Sequence, residues 1–456
     1  MANPNIVLLT NDQHRWDFFS GGAVNALHAP HLQRLRREGT TSENMYSTCP
    51  LCVPTRLSWL YGLRASQANG AWGELDTQWP SHLRSMAHVL QDAGYYTSVV
   101  GKMHTHSGLR RLDLGQLKDQ IHQRGFDHVV EMSGKSLVKW FDCTYTRHLE
   151  ERGLLNTYRE TLERLGGDHA QVLPFDPSDA MDAVIGDHAC EWLKSYQGKK
   201  PFFFHVSFCN PHSPYDPPEP YASRHRPEDM PVPYGLDDPE AIRKYQAVRA
   251  LYCGLIEHCD EQIGRILDLL DQLDLTENTV IVFGSDHGDL LGDRHLLGKH
   301  QPYEASARTP LTIRFPGAVA AGQSLKAPCE SIDLPATLLE AAGCRGAAGH
   351  WLPSSPGRSL WSLATGRGAP PRDWAYSEMG PWKMVCDGEW KFIHRRDGPD
   401  ELYHLPADPG ECHNLAADRA QDERVRRMQR WIITSLSENI APPSQHLAGV
   451  PAAPPT

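Results

Sequence analysis

A cysteine, a proline and an arginine stand at alternate positions in Cys52-Val53-Pro54-Thr55-Arg56, just before an apolar helical run at 57–61 that Gly62 ends. Proline suits the first turn of a helix, where its missing N–H has no intrahelical partner to lose, and glycine suits the residue after the last turn. Cys52 is therefore expected at the amino end of a short helix. Unpaired N–H groups and the helix dipole favour negative charge there, which lowers a thiol pKa or stabilises an alkoxide beside a bound sulfate or phosphate. Arg56, one turn along, can reach back to the same point. The stretch also reads as a dithiol, Cys49-Pro50-Leu51-Cys52. A redox pair wants a thioredoxin-like βαβ context and a zinc site wants a second pair of ligands at similar spacing, and neither stands nearby. The eleven cysteines, an odd number scattered along the chain, form no dense framework and are expected as free thiols in a reducing compartment.

A second set of reactive side chains recurs at one kind of place. Asn11-Asp12 follow the apolar run 6–9, Lys102 and His104 follow 96–100, Asn210 and His212 follow 202–208, and Asp286-His287 follow 279–283. Each run reads as a β-strand, and in open α/β sheets ligands bind beyond the carboxyl ends of the strands. Taken singly, an Asp after a strand is most often a helix cap and a buried His a satisfied core residue. Four strands ending alike argue for one shared site. Carboxylates suit a hard cation and an imidazole a softer one such as manganese, so Asp12, Asp286 and His287 are candidate ligands of one divalent ion. Asn11 is a further ligand or an outer partner.

The elements that must hold these residues alternate along the chain. Helices are expected at 31–38, 83–93, 180–196, 239–273 and 334–342, among strands at 6–9, 96–100, 202–208, 279–283 and 311–315. That alternation predicts an α/β fold with a mostly parallel sheet. Composition changes near 366–372. Beyond it, 384–386 and 390–394 flank Asp387-Gly388 as a hairpin, 401–404 adds a third short strand and 422–438 a closing helix, together a small C-terminal α+β subdomain. The expected division is 1–370, 371–440 and a Pro/Ala-rich tail at 441–456, read as flexible or as an arm that docks on a second copy in a homo-oligomer.

Of the 456 residues 40% are apolar, enough for a sizeable core. Lys and Arg number 45 against 56 Asp and Glu, a net charge of −11 that argues against nucleic acid and favours a small substrate held by local positive charge. No apolar run reaches the length of a membrane span, and no basic leader precedes the first strand, so a cytoplasmic protein with no membrane partner is expected.

In order and type these segments resemble the type I, formylglycine-dependent sulfatases of the alkaline phosphatase superfamily. Asn5-Ile6-Val7 through Asn11-Asp12-Gln13 is similar to the family's first metal strand, and 52–62 to the segment whose cysteine is oxidised after translation to formylglycine. Gly101-Lys102-Met103-His104 resembles the motif beside the nucleophile, Asn210-Pro211-His212 the segment giving a leaving-group histidine, and Ser285-Asp286-His287-Gly288 the second metal strand. Gly298-Lys299, with Tyr303-Glu304 and Arg308-Thr309-Pro310, resembles the lysine segment that follows. Glu401-Leu402-Tyr403 through Asp408-Pro409-Gly410-Glu411 and Asn414-Leu415 resembles the C-terminal subdomain, so the likeness spans 5 to about 415. Asn11 stands where many sulfatases carry a second aspartate and His287 where many carry asparagine, as in choline sulfatases and phosphonate monoester hydrolases. Ca2+ and Mn2+ are thus both left open. Lys102 and His104 are nearer the choline sulfatases, whereas Asn69-Gly70-Ala71-Trp72-Gly73-Glu74 does not reproduce their choline-binding segment.

The resemblance implies an alkaline-phosphatase-like αβα sandwich that hydrolyses a sulfate monoester of a small substrate to alcohol and inorganic sulfate. It implies that a formylglycine-generating or other maturation enzyme converts Cys52, and that Asp12, Asp286, His287 and the residue 52 oxygen hold one divalent metal. One hydroxyl of the hydrated aldehyde would attack sulfur. Lys102 and Lys299 would stabilise charge on the transferring group, and His212, with Lys299, would protonate the departing alcohol. His104 would deprotonate the second hydroxyl, and Arg56 would orient the residue 52 oxygens. The alternatives are a phosphonate monoester or phosphodiester hydrolase on the same scaffold or, with Cys52 unmodified, a metal-binding or thiol redox protein. Trp72, Trp79, Trp140 and Trp382 are candidates for an aromatic wall, core packing being the commoner role of such residues.

Overall fold

A computed structural model describes residues 3–19, 27–68, 83–104, 113–165, 169–344 and 355–439. Nine strands form one sheet: β1 (Asn5–Asp12), β2 (Thr40–Tyr46), β3 (Tyr96–Gly101), β4 (His128–Glu131), β5 (Phe202–Pro211), β6 (Thr279–Ser285), β7 (Arg308–Arg314), β8 (Gln323–Leu325) and β9 (Cys329–Glu330). Their order is β4-β3-β5-β1-β6-β7-β2-β8, with β9 also on β2. From β4 to β6 every pairing is parallel. The expected strand at 311–315 is present as β7, but it runs antiparallel to β6 and β2. The chain returns from β6 through the segment that carries Lys299 and enters β7 from a single helical turn, Glu304–Ala307.

Alternate residues of the central strands feed two cores. Val7 and Leu9 of β1 join Phe204, Val206, Ile281 and Phe283 on one face, and Ile6 and Leu8 join Phe203, Val280 and Val282 on the other. Strands buried on both faces read as continuous apolar runs, which is why 6–9, 202–208 and 279–283 stood out in the sequence. Helices α1 (Pro30–Glu38), α4 (Met181–Ser195) and α5 (Pro239–Gln272) cover the first face. Helices α2 (Cys52–Tyr61), α3 (Met86–Asp92) and α6 (Asp333–Ala341) cover the second. The result is the three-layered α/β arrangement expected.

The C-terminal subdomain is a four-stranded antiparallel meander of β10 (Ala375–Met379), β11 (Trp382–Cys386), β12 (Trp390–Arg395) and β13 (Glu401–His404). Helix α7 (Asp422–Asn439) packs Met428 and Ile432 on its Tyr376, Val385, Phe392 and Leu402. The expected hairpin turn is present. Gly388 has φ 99°, and Asp387 Oδ1 accepts from the N–H groups of Glu389 and Trp390 at 3.0 and 2.7 Å. None of the eleven cysteines, all of them among the described residues, forms a disulfide. The tail at 441–456 lies outside the described residues.

Candidate active site

β3, β5, β1 and β6 are consecutive neighbours in the sheet, so the four strands singled out by their polar ends open side by side. Asp12 ends β1, and Asp286 and His287 directly follow β6. Leu51 is the N-cap and Cys52 the first residue of α2. Gly62 closes that helix at φ 64°, its N–H donating to the Ser58 carbonyl. One ligand atom each from Asp12, Cys52, Asp286 and His287 falls within 4.8 Å of the others, and all four residues are buried.

Cys52 Sγ is the meeting point. It lies 3.1 Å from His287 Nε2, 3.1 Å from Lys299 Nζ, and 3.7 Å from both Asp12 Oδ1 and Lys102 Nζ. Lys299 Nζ is also 2.8 Å from His212 Nε2, so one ammonium links residue 52 to the histidine. Lys102 donates to Asp12 Oδ2 at 2.5 Å. Arg56, assigned from the sequence to the residue 52 oxygens, spans the two carboxylates beside it. It donates to Asp286 Oδ2 from Nε at 3.0 Å and to Asp12 Oδ2 from Nη2 at 3.1 Å. His104 is buried after β3 at φ 55°, with its backbone N–H 3.4 Å from Glu131 Oε1. Asn11 turns its amide elsewhere: Oδ1 accepts from Cys259 Sγ at 3.4 Å and Nδ2 lies 3.0 Å from His14 Nδ1.

The electrostatics follow from burial. Burial alone would push the Asp12 carboxyl up, but Lys102, then His212, Arg56 and Lys299, hold it well below the ordinary carboxylate range. Asp286 is also raised by burial and by Asp12, yet His287, Arg56 and Lys102 bring it below its usual value. For His287 burial favours the neutral ring and Lys299 adds to that, but Asp286 and Cys52 together outweigh them, so the imidazole is raised. Both carboxylates are therefore held ionised. Two ionised carboxylates and an imidazole fit a divalent cation, and the His287 Nδ1 that faces the Gly288 carbonyl at 3.0 Å leaves Nε2 toward the cluster.

Several supporting residues carry no signal in the sequence. Ser207 Oγ accepts from Arg56 at 2.8 Å, and Asp182 of α4 accepts the N–H groups of Cys209 and Asn210 at 2.8 and 3.1 Å, fixing the end of β5. Burial lifts Asp182 to about 6 despite those two bonds. Gln13, adjacent to Asp12, donates its backbone N–H to Asp286 Oδ1 at 3.0 Å. Of the tryptophans, Trp382 is buried and donates to the His300 carbonyl at 3.1 Å, a packing role beside Lys299. Trp140 is half-buried with Lys139 over its ring. Trp72 and Trp79 lie outside the described residues.

The sheet is mostly parallel, and its carboxyl edge carries one cluster of carboxylates, imidazoles and lysines. The sulfatase family model matches residues 4–344, and the model described as N-sulphoglucosamine sulphohydrolase, C-terminal, matches 292–438. The chain belongs to the sulfatase family. It is 28% identical over 471 residues to an arylsulfatase of Clostridium perfringens (strain 13 / Type A), across 95% of this chain and 94% of the relative. It is 29% identical to a choline-sulfatase of Rhizobium meliloti (strain 1021), across 91% and 83%. Among solved structures, the phosphonate monoester hydrolase of Agrobacterium radiobacter superposes with a TM-score of 0.80 at 20% identity, covering 96% of both chains. Among the described residues no helix is long and apolar enough to cross a membrane.

Proposed function

We propose that the chain hydrolyses sulfate monoesters to alcohol and inorganic sulfate, with residue 52 acting in its formylglycine form. The observation that carries this reading is the convergence on Cys52 Sγ of an imidazole, a carboxylate and two ammonium groups within 3.1–3.7 Å. Sγ stands where hydroxyl oxygens of the hydrated aldehyde would lie. Formylglycine supplies, as that hydrate, one hydroxyl as nucleophile and a second whose deprotonation lets the product go. Asp12, Asp286, His287 and the residue 52 oxygen would hold one divalent ion, Ca2+ or Mn2+, which would supply charge neutralisation and a more acidic nucleophile.

The chain's own residues do the rest. Lys102 and Lys299 offer fixed positive charge to the transferring group, a contribution often worth about 10²–10³ in rate per donor. His212, against Lys299 Nζ, stands ready to protonate the departing alcohol, and His104 serves as base for the second hydroxyl. Arg56 keeps both carboxylates ionised and in register. Mass spectrometry of the Cys52 peptide from native-host protein should show sulfur lost and a carbonyl gained. An active preparation with wholly unmodified Cys52 would sink the reading.

Hydrolysis of phosphonate monoesters is the second reading, favoured by the fold match to a phosphonate monoester hydrolase and by His287 beside Asp286. Rates on paired 4-nitrophenyl sulfate and 4-nitrophenyl phosphonate esters decide between them. A clear preference for the phosphonate replaces the first reading with the second.

A further inference from the structure

One buried carboxylate outside the proposed machinery ties together four of the segments that carry reactive residues. Asp289 lies three residues past Asp286 and is fully buried. Its Oδ2 accepts from Gln13 Nε2 at 2.5 Å and from Tyr215 Oη at 2.7 Å. Its Oδ1 accepts from the backbone N–H groups of Gly298 at 2.8 Å and Leu291 at 3.0 Å. Gln13 adjoins Asp12, Tyr215 stands three residues past His212, and Gly298 adjoins Lys299. Four donors fill the acceptor sites of a carboxylate, which suits Asp289 to holding geometry rather than moving protons.

The Gln13 amide gives the arrangement a direction. With Nε2 donating to Asp289, Oε1 must face the other way, and there it accepts from Lys299 Nζ at 3.2 Å. A carboxylate on one side and an ammonium on the other admit one orientation of the amide. Gln13 also sits at φ 67°, a conformation that a residue other than glycine adopts when its surroundings hold it there.

We propose that Asp289 is a positioning residue that, through Gln13 and Gly298, sets Lys299 against residue 52 and His212. The inference rests on the reading of Lys299 and His212 as the groups that serve the leaving alcohol. Asp289→Asn keeps the shape and turns one acceptor into a donor. Turnover of an alkyl sulfate, whose alkoxide needs the proton, should fall ~10- to 100-fold. Turnover of 4-nitrophenyl sulfate, with its good leaving group, should fall by less than about 3-fold. In a Lys299→Ala background the same change should alter alkyl sulfate turnover by less than about 2-fold, since the group being positioned is gone.

Equal losses on both esters, or a full further loss on top of Lys299→Ala, would overturn the assignment. Gln13→Leu removes the bridging amide and keeps the backbone donors to Asp289, so it carries the same test should Asp289→Asn not fold. If the unmutated enzyme cleaves phosphonate monoesters and not sulfates, the sulfatase reading fails. The same alkyl and 4-nitrophenyl pair on a phosphonate then still decides the positioning role.

Discussion

Two of the clusters of buried charge among the described residues are built differently. Where the subdomain meets the segment after Lys299, Lys391 Nζ lies 2.6 Å from Glu304 Oε1, 2.9 Å from Glu411 Oε1 and 2.9 Å from the Pro302 carbonyl. Arg308 Nη1 reaches Glu304 Oε2 at 3.0 Å, and Glu411 Oε2 accepts the Glu304 N–H at 2.6 Å. Each group there ends on a protein partner. At the sheet edge, by contrast, Lys102, Lys299, His287 and Asp12 all aim at the single Sγ of Cys52. Buried charge is costly unless compensated, so both clusters must be paired. Convergence on one small group is the feature that separates a site from a staple.

Asp286→Ala is the sharpest test of that difference. Removing a ligand from the convergent cluster should lower turnover by ~10³-fold or more and take bound metal, read by elemental analysis, well below one per chain. Chelation of the unmutated enzyme should abolish activity likewise. Full metal occupancy in the variant would remove Asp286 from the ligand set.

Lys391→Met strikes the closed cluster and should do the opposite. It leaves Glu304 and Glu411 facing each other without their shared cation, a change of the kind that costs roughly 3–5 kcal/mol. Urea unfolding should show the loss, while turnover per folded molecule at saturating substrate stays within about 3-fold. A variant of native stability but dead in turnover would erase the distinction between the clusters.

Lys102→Ala and His104→Ala come next in size. Each should reduce sulfate ester turnover by roughly 10²-fold, the Lys102 change through lost charge at the transferring group and the His104 change through a slower second step. A burst of alcohol release before the steady state is expected for His104→Ala alone. Near-native rates in both would favour the phosphonate reading.

Much of this was legible in the sequence because the same physics writes both. Strands buried on two faces must be apolar throughout, so β1, β5 and β6 announce themselves, and the polar residues just past them mark the sheet edge. Thr40–Tyr46 escaped because β2, reading Thr-Thr-Ser-Glu-Asn-Met-Tyr, has no apolar run, and its place is set by pairing with β7, β8 and β9. His128–Glu131 is too short to signal. At the site, residue types pointed to Asp12, Cys52, Asp286 and His287, but not to which way an amide faces. Asn11 is turned by Cys259 of α5 and by His14. The Asp289 contacts to Gln13 and Tyr215 join positions 276 and 74 residues apart, which no local pattern encodes.

The smallest expected effect is a pH dependence confined to the closed cluster. Burial lifts the Glu411 carboxyl from 4.5 to about 7, with Lys391 opposing and Glu304 adding to the rise. A carboxyl whose folded pKa lies above its unfolded one holds its proton more tightly when folded. Its contribution to stability is therefore complete below about pH 4.5 and is lost as pH rises through about 7. Glu304 is depressed despite burial, chiefly by Lys391, so its own contribution is lost only as pH falls below the usual glutamate range. Between about pH 5.5 and about pH 8 the Glu411 effect stands alone in this cluster. The unmutated protein should lose of order 2 kcal/mol relative to Glu411→Gln across that window, measured by urea unfolding at the two ends. Parallel stability curves for the two proteins would mean that Lys391 keeps both glutamates ionised throughout, and the cluster would then be a fully charged triad.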